Sequence, residues 1–214
     1  MPTGVELPSA VERRAEKATK LEPFAINLSE VRRTTGHMLG EIGKGGIFAQ
    51  YTKHDISHID ELLHIADWVV DEETKGVMTS ADWLMITLSI YFHDMGMLVT
   101  PEEFSNRGRS DFPKFKDDIL NGADSSPEYI ARINELEPDE REKFLYQEFV
   151  RKTHALRIRR WVEGGQDAEL GYSLAAVNEV QRVIGNLDPT FILGAEYNHW
   201  PISASSRGGG EEHE

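Results

Sequence analysis

The sequence predicts an all-helical protein. Its 214 residues include 39% hydrophobic and 28% charged side chains, which is the balance of an ordinary globular domain. Apolar residues recur at spacings of three and four in several segments, and residues that cap helices stand at the start of some of them. No segment shows the sustained alternation of apolar and polar residues that marks a half-buried β-strand. We therefore expect one all-α domain.

The helical segments can be placed along the chain by their apolar spacing and their caps. They cover residues 8–21, 27–42, 56–70, 83–92, 138–163 and 173–184. Ser9 caps the first segment, whose mixed charge favours an exposed leading helix. Asn27 or Ser29 begins the second segment. Apolar residues dominate 56–70 and 83–92, so both are expected to be core helices.

The stretch between the two halves of the chain, residues 101–135, is polar. Pro101, Pro113 and Pro127 divide it and predict short helices joined by loops. Because binding residues concentrate on such connecting segments, we expect this stretch to lie over a functional site as a mobile lid or collar.

Charge and composition exclude several classes of protein. The 37 acidic side chains outnumber the 23 basic ones, which gives a net charge of −14, and such a surface repels long nucleic acids. The absence of cysteine excludes disulfides, thiolate nucleophiles and cysteine-based zinc sites. No apolar run approaches the ~18 residues of a membrane span, and the N-terminus has no secretory signal pattern. A cytoplasmic protein is expected.

Two places combine side chains that can bind a metal. His54 and His58 stand four residues apart and share a face if one helix includes both. His93 and Asp94 end a helix that is otherwise apolar, where metal ligation would offset the cost of burying them. Each place also has a simpler interpretation. The histidine pair can be a surface coincidence, and the doublet can be a turn cap beside a hydrogen-bonded core histidine.

A third place is a basic stretch on the long segment 138–163. It contains Arg151, Lys152, His154, Arg157, Arg159 and Arg160. Arginine and lysine bind phosphate groups, so this stretch predicts a pocket for a small phosphorylated ligand. A lone histidine such as His154 can equally have a structural role.

The order and spacing of these places resemble the HD superfamily of metal-dependent phosphohydrolases. Its pattern is a histidine on one helix, a His-Asp pair at the end of a later helix, and a distant aspartate. The resemblance implies an HD-type helical bundle in which His58, His93 and Asp94 are metal ligands. His154 would then help to hold a second metal. Residues 51–58 resemble the branch in which an HD domain often precedes a chaperone-type GHKL ATPase module.

The resemblance implies a phosphohydrolase that uses a divalent metal to hydrolyse a nucleotide or another small phosphoester. Nitrogen and oxygen ligands suit Mn²⁺, Fe²⁺, Mg²⁺ or Ni²⁺. The metal would activate water, while His54, Arg151 or Lys152 neutralises the charge that develops on the phosphate. The alternative is a non-catalytic HD-fold module that binds a nucleotide or regulates a neighbouring ATPase domain or subunit. A plain helical interaction domain is the third interpretation.

The distant aspartate of the HD pattern has no convincing match in this chain. Asp167 follows a Gly-Gly break and Asp188 precedes a proline, so neither is expected on an apolar helix. The predicted organisation is a leading helix at 1–22, an HD-like helical domain at 23–190 and a divergent or disordered tail at 191–214. We therefore expect a chain that is truncated at its C-terminus or altered in reading frame.

Overall fold

The computed structural model describes residues 7–44, 48, 55–122, 125–164 and 174–189. Its α-helices are α1 (Ala10–Ala15), α2 (Leu28–Leu39), α3 (Ile56–Val69), α4 (Glu72–Val77), α5 (Ser80–Phe92), α6 (Pro101–Ser105), α7 (Phe112–Asn121), α8 (Pro127–Glu135), α9 (Pro138–Val162) and α10 (Leu174–Ile184). The residues described contain no β-strand, which confirms the all-α class. None of the helices in this part of the chain combines the length and apolarity needed to cross a membrane.

The helices begin where capping residues stand in the sequence. Ser9 accepts a hydrogen bond from the backbone N–H of Glu12, whose carboxylate accepts one from the backbone of Ser9. Thr79 and Asp82 form the same reciprocal pair at the start of α5, and Asn27 caps α2. Each pair satisfies backbone groups that the first turn of a helix leaves without partners.

Prolines start the helices of the polar stretch 101–135. Pro101, Pro113 and Pro127 lie in the first two positions of α6, α7 and α8, where the missing backbone N–H has no helical partner to lose. Apolar side chains of α7 and α8 pack with the N-terminal half of α9. The expected short helices are therefore confirmed, and their mobility stays a prediction.

Two apolar cores share the long helix α9. The larger core collects α1, α2, α3, α5, α10 and the C-terminal half of α9, where Ile158 and Trp161 are fully buried. The smaller core surrounds the N-terminal half of α9. There the ring of Phe112 packs on Tyr146 and Phe149 at centroid distances of 5.1 and 5.8 Å. Because α9 runs for 25 residues, it reaches both cores.

One face of α1 is buried, so the leading helix is exposed only on its other face, which carries Arg13. Val11 and Ala15 are fully buried, and α1 packs on α5. Glu12 is also fully buried, and it accepts hydrogen bonds from Arg32 of α2 at 2.7 Å and from Tyr91 of α5 at 2.6 Å. The mixed charge did not indicate that Glu12 is buried, because this acidic residue finds its partners inside the protein.

The two segments expected in the core differ in burial. In α5, Leu84 and Leu88 have no exposed surface, which confirms a core helix. In α3, Ile59 and Leu63 are fully buried, whereas Trp68 near the end of the same helix is 81% exposed. The expectation for α3 is therefore correct for one face and wrong for another.

Candidate metal centre

The ends of two helices bring the metal-competent side chains together. α3 starts directly after its N-cap Asp55 and so places His58 in its first turn. α5 ends with His93 as its C-cap, and Asp94 follows. Because α3 and α5 pack against each other, the start of one helix lies beside the end of the other.

His58, His93 and Asp94 form one compact cluster. One potential ligand atom of each residue lies within 4.8 Å of the other two. Oδ2 of Asp94 lies 2.8 Å from Nε2 of His93 and 3.5 Å from Nε2 of His58. The two imidazole centroids are 5.4 Å apart. All three side chains are partly exposed, so solvent and small ligands can reach the cluster.

The donor set fits a divalent metal. Atoms that lie ~2.0–2.2 Å from one ion are at most about 4.4 Å from each other, which is close to the spread of this cluster. Nδ1 of His93 lies 2.7 Å from the carbonyl oxygen of Ile90. Because a carbonyl only accepts hydrogen bonds, this contact assigns the proton to Nδ1 and leaves Nε2 to bind a metal.

The turn that follows the doublet packs directly on α9. Met97 donates its backbone N–H to the carbonyl oxygen of Asp94 at 2.9 Å, which closes this turn. A Cβ atom added to Gly96 would lie 2.1 Å from the carbonyl oxygen of His154. Only glycine permits so close an approach, so Gly96 sets the distance between the doublet and α9.

Arg157 of α9 binds the same turn through buried hydrogen bonds. It is fully buried and donates hydrogen bonds to the carbonyl oxygens of Gly96 at 2.5 Å and Leu98 at 2.7 Å. It also forms an ion pair with the buried Glu103 of α6 at 2.5 Å. Burial raises the pKa of the Glu103 carboxyl, and the charge of Arg157 opposes that rise. The interpretation of Arg157 as a phosphate-binding residue is therefore wrong, because none of its surface reaches solvent.

A cavity of about 450 Å³ opens beside the group formed by His58, His93 and Asp94, which we call the metal cluster although it contains side chains only. Its lining residues are Asp94, Met97, Phe115, Ile119, Glu148, Arg151, Lys152 and His154. The residues from α7 form an apolar wall, and those from α9 form a charged one. Asp94 of the metal cluster therefore lines the same cavity as Arg151 and Lys152, which the sequence predicts to bind phosphate.

The charged wall of the cavity comes from one segment of α9. Arg151 and Lys152 are exposed, and Arg151 pairs with Glu148 at 3.0 Å. The Lys152 ammonium lies 5.8 Å from the ring centroid of Phe115. Nδ1 of His154 lies 2.6 Å from the carbonyl oxygen of Arg151. His154 is outside the three-residue cluster, so its part in a second metal site stays a prediction.

The other candidate residues lie elsewhere. Arg159 and Arg160 pair with one glutamate at the end of α9 and do not line the cavity. Asp188 is exposed and does not belong to the metal cluster. His54 and Asp167 lie outside the described residues.

A match to a known family covers the residues of this site. Residues 48–205 match the family model HD-CE. The chain belongs to the HD-CE family. This match includes the metal cluster and the cavity wall of α9, and it confirms the HD-type domain expected from the order of the motifs. No curated protein and no solved structure matches the chain.

The HD-CE match bears on the extent of the domain. It ends at residue 205, whereas the predicted domain ends at 190, so the match includes part of the predicted tail 191–214. These tail residues lie outside the described part of the chain. The boundaries of the three regions and the truncation stay predictions.

Proposed function

We propose that this HD-CE domain is a metal-dependent phosphohydrolase of small phosphoesters, nucleotides among them. The observation that carries the proposal is the cavity beside the metal cluster, which is lined by Asp94 on one side and by Arg151 and Lys152 on the other. A phosphoester is bound and activated most effectively where metal ligands and fixed cations converge.

The residues of the chain have separate tasks in this proposal. His58, His93 and Asp94 hold the metal, which when bound would supply Lewis acidity and lower the pKa of a water molecule. Arg151 and Lys152 bind phosphate oxygens from the α9 wall. A phosphate that reaches Arg151 must compete with the carboxylate of Glu148, which contacts it at 3.0 Å.

The cavity and the surface charge together favour a small substrate. Its volume of about 450 Å³ falls in the range of small-molecule pockets. Phe115 and Ile119 supply an apolar wall on which a nucleobase would pack. The net charge of −14 disfavours a long nucleic acid as the substrate.

A turnover assay with defined metals tests the proposal. The purified chain is stripped of metal, reloaded separately with Mn²⁺, Fe²⁺, Mg²⁺ or Ni²⁺, and offered bis-p-nitrophenyl phosphate and a panel of nucleotides. We expect hydrolysis only in metal-loaded protein, with a raised KM in Lys152→Ala. Arg159→Ala is the matched control, because Arg159 lies on the same helix away from the cavity. Equal turnover with and without metal would contradict the proposal.

The second candidate is a non-catalytic module that binds a nucleotide or regulates a neighbouring ATPase domain. Two observations favour it. Within the described residues only three side chains group as a metal cluster, and Arg151 already pairs with Glu148. Calorimetric titration with nucleotides separates the two candidates. Micromolar binding without turnover under every metal would support the module.

A further inference from the structure

The C-terminal half of α3 exposes an apolar face. Ile65 is 50% exposed, Trp68 81% and Val69 63%. Their spacing of i, i+3 and i+4 makes these residues neighbours on one side of the helix. We call Ile65, Trp68 and Val69 the α3 stripe. In the short helix that follows, Val77 is 79% exposed as well.

The α3 stripe is not the face that anchors α3 in the core. The buried residues Ile59 and Leu63 on another face anchor this helix in the larger core. Single exposed apolar residues are common on proteins, but an adjoining group of them marks an interaction surface. Tryptophan in particular is enriched among the residues that dominate binding between proteins.

The α3 stripe continues toward the metal cluster. His58 precedes Ile65 by seven residues and Leu62 precedes Val69 by seven, so all four lie on the same side of the helix. The apolar part of this face, from Leu62 to Val69, is about 10 Å long at 1.5 Å per residue, or about two helical turns, and His58 extends the face by one more, polar turn. An apolar face with a polar end suits an amphipathic helix laid along it.

The surroundings of the α3 stripe are acidic. Between residues 55 and 78, Lys75 is the only lysine or arginine. Glu61, one turn before the stripe, is exposed, and so are Asp71 and Glu73 just after α3. A second copy of this chain would bring the same charges and a net charge of −14, so it would be repelled. The surface is complementary to basic residues placed beside an apolar stripe.

We propose that the α3 stripe docks an amphipathic helix of a partner protein, with lysine or arginine beside its apolar side chains. Trp68 is the central contact, because it is the largest and most exposed of the three. A helix that follows the whole face reaches His58, whose side chain is 32% exposed, and so covers one edge of the metal cluster. Docking requires neither a metal nor phosphoester hydrolysis, so metal-free protein is sufficient for the test.

A synthetic peptide serves as the probe. A fluorescein-labelled amphipathic helix with leucines on one face and flanking lysines is titrated with the full chain and followed by fluorescence anisotropy. One control peptide has the same composition in scrambled order, and another has glutamate in place of lysine. We expect both controls to bind at least tenfold more weakly. Equal binding of either control would overturn the proposal.

Matched variants locate the binding surface. Trp68→Ser is expected to weaken binding of the lysine-flanked peptide at least tenfold. Leu156→Ser, which changes another exposed apolar residue, on α9, should leave the affinity unchanged. Circular dichroism of both variants confirms that they are folded. Equal affinities of the two variants would contradict a site at the α3 stripe.

Two further measurements distinguish the partner helix from other occupants. Sedimentation equilibrium tests whether a second copy is the occupant, and we expect a monomer. A dimer that Trp68→Ser dissociates would make a second copy the occupant and overturn the proposal. Acrylamide, a neutral quencher that the acidic surface does not repel, should quench the fluorescence that Trp68→Phe removes. Protection of that fluorescence from acrylamide would show that this chain itself covers Trp68, which also overturns the proposal.

Discussion

Asp94 lies at the centre of the candidate metal site. Its Oδ2 atom faces Nε2 of both histidines, and its side chain is 13% exposed against 32% for His58 and 28% for His93. The residue also lines the cavity. A carboxylate in this position supplies the only negative charge of the cluster, and it would contact both a bound metal and a ligand in the cavity.

Replacing Asp94 should remove the metal without unfolding the protein. In Asp94→Ala the two imidazoles remain, but they lack the charge that balances a divalent ion, so we expect loss of bound metal with a modest change in stability. Elemental analysis of the purified variant measures the metal. Asp188→Ala is the control and should retain it, since Asp188 is outside the cluster. Loss of metal in Asp188→Ala alone would move the assignment to that residue.

Arg157 should be essential for stability. Arg157→Met leaves Glu103 buried beside unpaired carbonyl groups, and removing one partner of a buried ion pair costs about 3–5 kcal/mol. Urea unfolding followed by circular dichroism measures the loss. The double variant Arg157→Met/Glu103→Gln should recover part of it, because no uncompensated charge remains. A double variant that is less stable than Arg157→Met would contradict this account.

The sequence identified the residues of the candidate metal site better than it identified the residues that support them. His93 and Asp94 could be selected because a His-Asp pair at the end of an apolar helix requires compensation for burial, and His58 was selected because the order of the motifs resembles the HD pattern. Arg157 was assigned to phosphate binding, because an arginine in a basic stretch has the same pattern whether it faces solvent or a buried carboxylate. Its partner Gly96 lies 61 residues away, and no local pattern reports that contact.

At the scale of the secondary-structure elements, the contact between α9 and the turn after α5 sets the geometry of the site. Gly96 lets the backbone of this turn approach the carbonyl oxygen of His154. Arg157, one turn farther along α9, binds the carbonyl oxygens of Gly96 and Leu98. The charged wall of the cavity and the Asp94 carboxylate are thus held at a fixed separation.

A side chain at Gly96 should disturb that separation. In Gly96→Ala the Cβ atom would meet the His154 carbonyl oxygen at 2.1 Å, and we expect destabilisation of about 3 kcal/mol or more with weaker metal binding. Gly76→Ala is the control, since a Cβ atom there meets nothing within 4 Å, and its stability should change by about 1 kcal/mol or less. Thermal unfolding and metal titration of both variants provide the comparison.

Helix starts were predictable and helix faces were not. Ser9 and Asn27 could be selected by residue type alone, because an N-cap acts on backbone groups within the next three residues. The face of α3 that carries Trp68 was assigned to the core, because its apolar spacing is the same whether another helix covers it or not. What lies against a helix is a property of the tertiary structure.

At the scale of the whole molecule, one buried carboxylate joins α1 to two other helices, and through Arg32 to a third. Glu12 contacts Arg32 of α2 and Tyr91 of α5, and Arg32 also reaches Asp60 of α3 at 2.6 Å. His58 and His93 each lie two residues from a member of this network. The N-terminal helix therefore supports the helices that position the residues of the candidate metal site.

Removal of the Glu12 carboxylate should weaken the whole domain. Glu12→Ala leaves the buried Arg32 with fewer partners, and we expect a loss of about 3–5 kcal/mol. Glu16→Ala is the matched control on the same segment, because Glu16 is exposed, and it should stay within about 0.5 kcal/mol of the unchanged protein. Similar stability of the two variants would show that α1 contributes little.

Because α9 belongs to both cores, neither core can open widely while the other stays closed. Amide hydrogens in both halves of α9 should therefore exchange with deuterium at similar, slow rates, each through the same rare global opening. Calorimetry should show a single heat-absorption peak for this pair of cores. Two separate exchange classes along α9, divided near His154, would instead show that the helix can fray in one core without the other. If both halves of α9 exchange only through the global opening, a ligand that binds in the cavity beside Asp94 opposes that opening. It would then slow amide exchange as far away as Trp161.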